Sequence, residues 1–285
     1  MSWVPAPLER TPRPDEEIPF LHQCYTCTSS DVTDPTMVWS SQVDMTGIRT
    51  YLAMRNESSH ALLTPTVVLA RIVALALAKH PELNCRLMGQ RIYRFTEQNI
   101  LLPVLGHWGP TMVLLRKVDE MSYEDVAALL KQEVVNAMDR NRQRGLGERV
   151  FRRLPRFLHR FAVRSLLWVT NRFRLPLGPV SKHLDGAPVM VNYFGFPCAP
   201  PMVAYKPSRF GSRATLMNVT LGPPSQQPAV ENDTVVIRPI SGLFVRVDHR
   251  TSDARQLCRF VKTLVTMLEN PAEYDRTEPA SLPTV

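Results

Sequence analysis

Residues 242–270 dictate a strand that runs almost directly into a helix. Leu243, Val245 and Val247 alternate with Phe244 and Arg246, the period of a half-buried strand. The alternation stops at Asp248, His249 and Arg250. Leu257, Phe260, Val261, Leu264, Val265 and Leu268 then recur at i, i+3, i+4, i+7, i+8 and i+11, the stripe of a core-facing helix. Asp253 occupies the N-cap position, and Gln256 three residues later completes a capping-box pattern. Asn270 and Pro271 end the helix. The short link fixes where both elements pack, and it leaves a histidine on a rigid frame between them, a place suited to catalysis.

The rest of the chain alternates strands and helices. Residues 1–18 carry Pro5, Pro7, Pro12 and Pro14 among charges and read as an extended N-terminal arm. Residues 36–43 read as a strand, after which Asp44, Met45 and Thr46 cap a helix running to about Asn56. Thr64 and Pro65 open a second helix that ends at His80. Its apolar run, residues 61–78, is interrupted by Pro65 and Arg71, so it reads as buried and not as a membrane span. Strands are expected at 91–95, 99–104 and 112–118. A helix over 122–138 starts on Ser122 with Asp125 three residues on. Further strands are expected at 203–205, 214–221 and 235–240, separated by proline-rich loops such as Gly222-Pro223-Pro224.

Charge separates one segment from everything else. The chain carries +8, yet residues 140–182 hold eleven Arg and one Lys against Glu148 alone, a local +11. The remainder is therefore near −3, and the basic character belongs to an insert and not to a nucleic-acid-binding fold. Within it Leu154, Phe157, Phe161 and Trp168 alternate with arginines at near-helical spacing. Three readings stand: an added amphipathic helix pair packed on the domain, a surface for a membrane or an acidic partner, or a basic mouth that draws the phosphates of a co-substrate. Cys24 and Cys27 form a single Cys-x-x-Cys with no second pair at zinc-site spacing, so no metal is expected. The odd count of five cysteines and the want of a signal peptide point to a cytoplasmic protein.

The string Asp248-His249-Arg250-x-x-Asp253 resembles the Asp-His-Arg-x-x-Asp-Gly signature of the acyltransferase (E2) catalytic domain of 2-oxoacid dehydrogenase complexes. That domain belongs to the chloramphenicol-acetyltransferase-like superfamily, whose broader signature is His-x-x-x-Asp-Gly. Ala254 stands here in place of the final Gly, a small residue in the first helical turn. Val43-Asp44-Met45-Thr46 and Lys79-His80-Pro81-Glu82-Leu83-Asn84 are similar to the same family, and together the resemblance covers residues 20–138 and 184–275. Before Gly195 the family has a strand of the form Gly-x-x-Phe-Thr-Ile-Ser-Asn-Leu-Gly. Counting back places Asn192 at the family's Ser and Tyr193 at the Asn beside it.

The resemblance implies an α/β (α+β) fold, a chloramphenicol-acetyltransferase-like mixed β-sheet flanked by helices, with the basic helical insert at 140–183. The expected organisation is a single acyltransferase domain over 19–275 and a flexible tail over 276–285. It implies that His249 acts as general base, that Asp253 holds the motif's loop through an ion pair with an N-terminal arginine (Arg10 or Arg13), and that no acyl-enzyme forms. The family's Ser meets the tetrahedral oxyanion, and a carboxamide N–H at Asn192 has the same capability. It further implies a homotrimer with His249 of one chain facing Asn192 of the next.

The sequence lacks a lipoyl domain, a subunit-binding domain and a long Ala/Pro linker. It is thus expected to be a stand-alone relative, similar to the O-acetyltransferases of tetronate natural-product pathways. The expected reaction is transfer of an acetyl group from acetyl-CoA, a co-substrate and not a bound cofactor, to a hydroxyl of a small molecule. No Gly-x-Ser-x-Gly elbow occurs, which disfavours a serine hydrolase. Two rivals remain, a dihydrolipoyl acyltransferase working on lipoyl groups supplied in trans and a non-catalytic E2-like scaffold.

Overall fold

The alternation at Leu243–Val247 belongs to a much longer strand in the computed structural model, which describes residues 8–10, 36–58, 62–88, 91–106, 109–143, 165, 186–195 and 217–275. In chain order the elements are β1 (Leu8–Arg10), β2 (Thr36–Asp44), α1 (Thr46–Ser58), α2 (Pro65–Lys79), β3 (Cys85–Met88), β4 (Arg91–Phe95), β5 (Ile100–Gly106), β6 (Gly109–Leu115), α3 (Tyr123–Gln143), β7 (Val189–Tyr193), β8 (Met217–Leu221), β9 (Ser225–Glu231), β10 (Thr234–Asp248) and α4 (Ala254–Glu269). A large mixed sheet has the order β2-β10-β8-β7-β5-β6, with β9 on the first half of β10. The β5–β7 and β7–β8 pairs are parallel and the others antiparallel. A small antiparallel sheet has the order β1-β4-β3. This is the expected mixed sheet flanked by helices.

Strand alternation sorts the large sheet into two faces. Val189 and Val191 of β7, Met217, Val219 and Leu221 of β8, and Leu243, Val245 and Val247 of β10 all enter the core. Helix α2 is covered almost all round, with Val67–Ala74 unbroken in burial, as a helix apolar on every side requires. It begins at Pro65 behind an extended Thr64, where the missing N–H costs nothing. Helix α4 buries Leu257, Phe260, Leu264, Met267 and Leu268, each worth roughly 1.5–3 kcal/mol relative to exposure. Among the described residues no helix is long and apolar enough to cross a membrane. The opposite sheet face carries Asn192, Asn218, Thr220, Phe244, Arg246 and Asp248 by the same alternation.

Several elements differ from expectation. The strands expected at 235–240 and from Leu243 onward are one strand, because Gly242 continues the ladder and leaves room for the Phe244 ring, which would lie 2.8 Å from an added Cβ. Strand β9 is polar and holds Pro228, so no alternation announces it. It forms because Asn232 and Asp233, both at positive φ (48° and 61°), make the tight turn that returns the chain onto β10. Strand β3 was likewise absent from the expected set. Helix α3 continues past residue 138 to Gln143. Strand β6 stops at Leu115, since Lys117 turns left-handed (φ 51°) into a short 3-10 turn.

Of the expected arm over 1–18, Leu8–Arg10 forms β1 on β4. The remainder of the arm, the expected strand at 203–205, the tail at 276–285, Cys24, Cys27 and the insert apart from residues 140–143 and 165 lie outside the described residues.

Candidate active site

Asp248 organises the turn that follows β10. Its main-chain oxygen accepts from the Thr251 N–H at 3.1 Å and from the Thr251 hydroxyl at 2.9 Å, closing the turn. Its carboxylate takes the Arg250 guanidinium at two points, Nε to Oδ1 at 2.9 Å and Nη2 to Oδ2 at 2.6 Å. The Arg250 backbone N–H adds a third bond to Oδ1 at 3.0 Å. A forked, charge-assisted contact of this kind is both strong and directional. The residues on either side of His249 therefore clamp to each other, and the imidazole between them is carried on a closed turn.

His249 is half-buried, and its Nδ1 lies 3.0 Å from the carbonyl oxygen of Ser252. A carbonyl only accepts, so Nδ1 holds the proton. In the neutral ring the lone pair is then on Nε2, which is the nitrogen able to take a proton from a substrate. Ser252 is fully buried, so this acceptor is fixed.

Asp253 caps α4 as its position suggested. Its Oδ1 accepts from the Gln256 N–H at 2.7 Å, and the Gln256 side chain accepts from the Asp253 N–H at 3.1 Å. The structure thus brings His249 and Asp253 together on one turn. Among the described residues Asp253 makes no ion pair. Arg13 and the side chain of Arg10 lie outside the described residues.

Asn192 is not beside His249. It pairs across the sheet with Thr220, and Thr220 with Phe244, five residues short of His249. That places Asn192 roughly 16 Å along the strands and about 10 Å across them from the histidine. The Asn192 carboxamide also points inward: Nδ2 donates to Asn218 Oδ1 at 2.7 Å and approaches Thr220 Oγ1 at 3.5 Å. The Thr220 hydroxyl donates in turn to Asn218 Oδ1 at 3.2 Å. Sequence reasoning missed Asn218 and Thr220. The signal was present in the alternation of Met217-Asn218-Val219-Thr220-Leu221, which puts both polar residues on the face that bears Asn192.

No described group of three or more His, Cys, Asp or Glu side chains is arranged to hold a metal ion. Around Asn192 the polar face offers neutral amide and hydroxyl groups, and the turn offers one imidazole. That set can accept a proton and donate hydrogen bonds to a carbonyl oxygen, the requirements of acyl transfer.

Comparison with known proteins gives one family and one fold. The sequence model of the 2-oxoacid dehydrogenases acyltransferase (catalytic domain) matches residues 26–145 and 219–274. His249 and Asp253 fall inside that match. Asn192, Asn218 and the basic insert from residue 146 onward fall in the gap between its parts. The fold is similar to a probable dihydrolipoamide acetyltransferase from Listeria monocytogenes (TM-score 0.61, 16% identity, covering 91% of this chain and 92% of that one). It is similar to the dihydrolipoamide acetyltransferase of Azotobacter vinelandii (0.61, 18%, 88% of each), where the roles of a serine, a histidine and an asparagine in catalysis were investigated. A truncated catalytic core of the 2-oxoacid dehydrogenase multienzyme complex from Thermoplasma acidophilum is also similar (0.57, 17%, 90% and 97%). A comparison with curated protein sequences finds no match.

Proposed function

The chain belongs to the family of 2-oxoacid dehydrogenase acyltransferase catalytic domains, and from that membership we propose that it moves an acetyl group from acetyl-CoA to a hydroxyl of a small natural product, with His249 as general base. The observation that carries this reading is the 3.0 Å contact from His249 Nδ1 to the Ser252 carbonyl, which assigns the basic lone pair to Nε2. Nε2 removes the proton of the acceptor hydroxyl as its oxygen bonds to the thioester carbon. The carbonyl oxygen becomes an oxyanion and is met by the amide cluster around Asn192. The carbon–sulfur bond then breaks, and coenzyme A leaves as thiolate, taking up the proton held by His249. Asp253 keeps the turn in place and moves no proton. Its four-residue spacing from His249 equals that of the histidine and asparagine in the Azotobacter enzyme.

Asn192 and His249 of one chain are too far apart to share a carbonyl, so this reading draws them from different chains. The homotrimer that the family resemblance implies, with His249 of one chain facing the Asn192 cluster of the next, is the assembly we propose. The likeness to dihydrolipoamide acetyltransferases supports a second reading, in which the acceptor is a dihydrolipoyl thiol. A hydroxyl needs a base far more than a thiol does, because a thiol of ordinary pKa about 8.5 already ionises in part near neutrality.

The test incubates acetyl-CoA with a panel of hydroxyl acceptors and with dihydrolipoamide, following free coenzyme A by chromatography. Wild type is expected to release coenzyme A with a hydroxyl acceptor, and His249→Ala to lose about 10²–10⁴-fold. Release only with dihydrolipoamide would favour the second reading. No release with any acceptor, or equal release by the mutant, would overturn the reading of His249 as the catalytic base, and the first of these would leave a scaffold. A sedimentation mass of one chain would refute the shared site.

A further inference from the structure

The amide cluster on the polar face of the sheet has a direction, and it does not end at Asn192. Asn218 Oδ1 accepts twice, from Asn192 Nδ2 at 2.7 Å and from the Thr220 hydroxyl at 3.2 Å. A carboxamide oxygen has two lone pairs, and both are occupied. The Asn218 side chain is thereby locked with its oxygen toward β7 and its NH₂ group turned away. That NH₂ group makes no hydrogen bond among the described residues. Asn192 is placed the other way round, with its own NH₂ group spent on the cluster.

Turning both carboxamides over would not serve equally well. Thr220 is 5% exposed, and Asn218 Oδ1 is the acceptor for its hydroxyl proton. In the reversed arrangement Asn218 would present N–H to that hydroxyl, and the buried proton would have to turn to the Asn192 oxygen at 3.5 Å in place of Asn218 at 3.2 Å, a longer and weaker bond. The buried threonine therefore favours the observed polarity of all three groups. Asn218 is half-buried, on the same face as Arg246, its register partner on β10, which precedes His249 by three residues.

We propose that Asn218 presents the amide N–H that meets the acyl oxygen, and that Asn192 and Thr220 are positioning residues holding its carbonyl end. This rests on the acyl-transfer reading above and places the donor one strand nearer to β10. The chemistry is unchanged: as the acceptor oxygen bonds to the thioester carbon, the carbonyl π pair becomes an oxyanion lone pair, and the Asn218 N–H bonds to it until the carbon–sulfur bond breaks.

Asn218→Asp tests this directly. It keeps an oxygen facing Asn192 and Thr220 and exchanges only the outward NH₂ for an oxygen. The expected result is a fall in kcat of about 10²–10³-fold with KM for acetyl-CoA within about threefold. Asn218→Ala, which adds no charge, is expected to show a loss of the same order. Asn192→Ala leaves the Thr220 bond in place and is expected to lower kcat by no more than about tenfold. A loss at Asn192→Ala equal to or above that at Asn218 overturns the proposal and returns the donor to Asn192. An active wild type with near-normal Asn218 variants overturns the proposal and leaves acyl transfer standing. A wild type that releases no coenzyme A overturns both.

Discussion

The Nδ1 of His249 donates to the carbonyl of Ser252, and Ser252 immediately precedes the residue that caps α4. The orientation of the imidazole is therefore tied to the start of a helix. Asp253→Ala removes the acceptor of the Gln256 N–H and is expected to cost about 1 kcal/mol of stability. Turnover is expected to fall as well, because the carbonyl that holds Nδ1 loses its neighbour. Asp253→Asn keeps a capping oxygen and is expected to stay within a few tenths of a kcal/mol of wild type. Urea denaturation and initial rates on both variants measure this. Equal losses in the two would show that the cap is not what matters.

Arg250→Lys keeps the positive charge but not the fork. The two contacts to the Asp248 carboxylate are planar and paired, and an ammonium makes only one of them. The expected loss is about 1–2 kcal/mol in chemical denaturation. It is expected to persist at high salt, because both side chains are mostly shielded from solvent, at 16% and 18% exposure.

Gly47→Ala reverses an ordinary rule. Inside a helix alanine is normally better than glycine by about 1 kcal/mol. Here an added Cβ would sit 2.0 Å from the carbonyl oxygen of Glu269 at the end of α4. That atom is backbone and does not step aside. The variant is expected to be less stable than wild type by about 1–3 kcal/mol, read as a lowered thermal midpoint.

Cys85 and Cys258 are expected to separate in thiol labelling. Burial pushes the Cys85 thiol from 9.0 up to about 12, while Cys258 is exposed. At pH 8 a disulfide reagent is expected to modify Cys258 quickly and Cys85 only after denaturation, in protein carrying Ser at 24, 27 and 198. The folded value lies above the unfolded one. The stability contribution is thus complete below the unfolded value and drains away as pH climbs through 9 toward 12.

The local features were legible and the non-local ones were not. Asp253 with Gln256, Ser122 with Asp125 and Pro65 after Thr64 each form as their spacing indicates, because caps depend on neighbours three residues away. The apolar stripe of α4 is read correctly for the same reason. The placement of β10 between β2 and β8 depends on partners far off in sequence, and no period encodes it. The direction of the Asn192 amide was equally hidden, since it is set by Asn218 and Thr220 on another strand. Strand β9 was missed because its signal is the Asn232-Asp233 turn and not its own composition.

Strand β10 holds two very different regimes along one backbone. From Leu243 to Val247 it is hydrogen-bonded on both edges, to β2 and to β8. Toward Thr234 its one strand partner among the described residues is β9, and Val235 and Ile237 are exposed. Amide exchange is expected to be rapid in the outer half and slowest in the inner half, where opening requires the whole domain to unfold. His249 hangs from the slow end. Heat inactivation is therefore expected to coincide with global melting, with no earlier loss of function from a loosened site, while the outer ribbon frays and recloses without consequence for turnover.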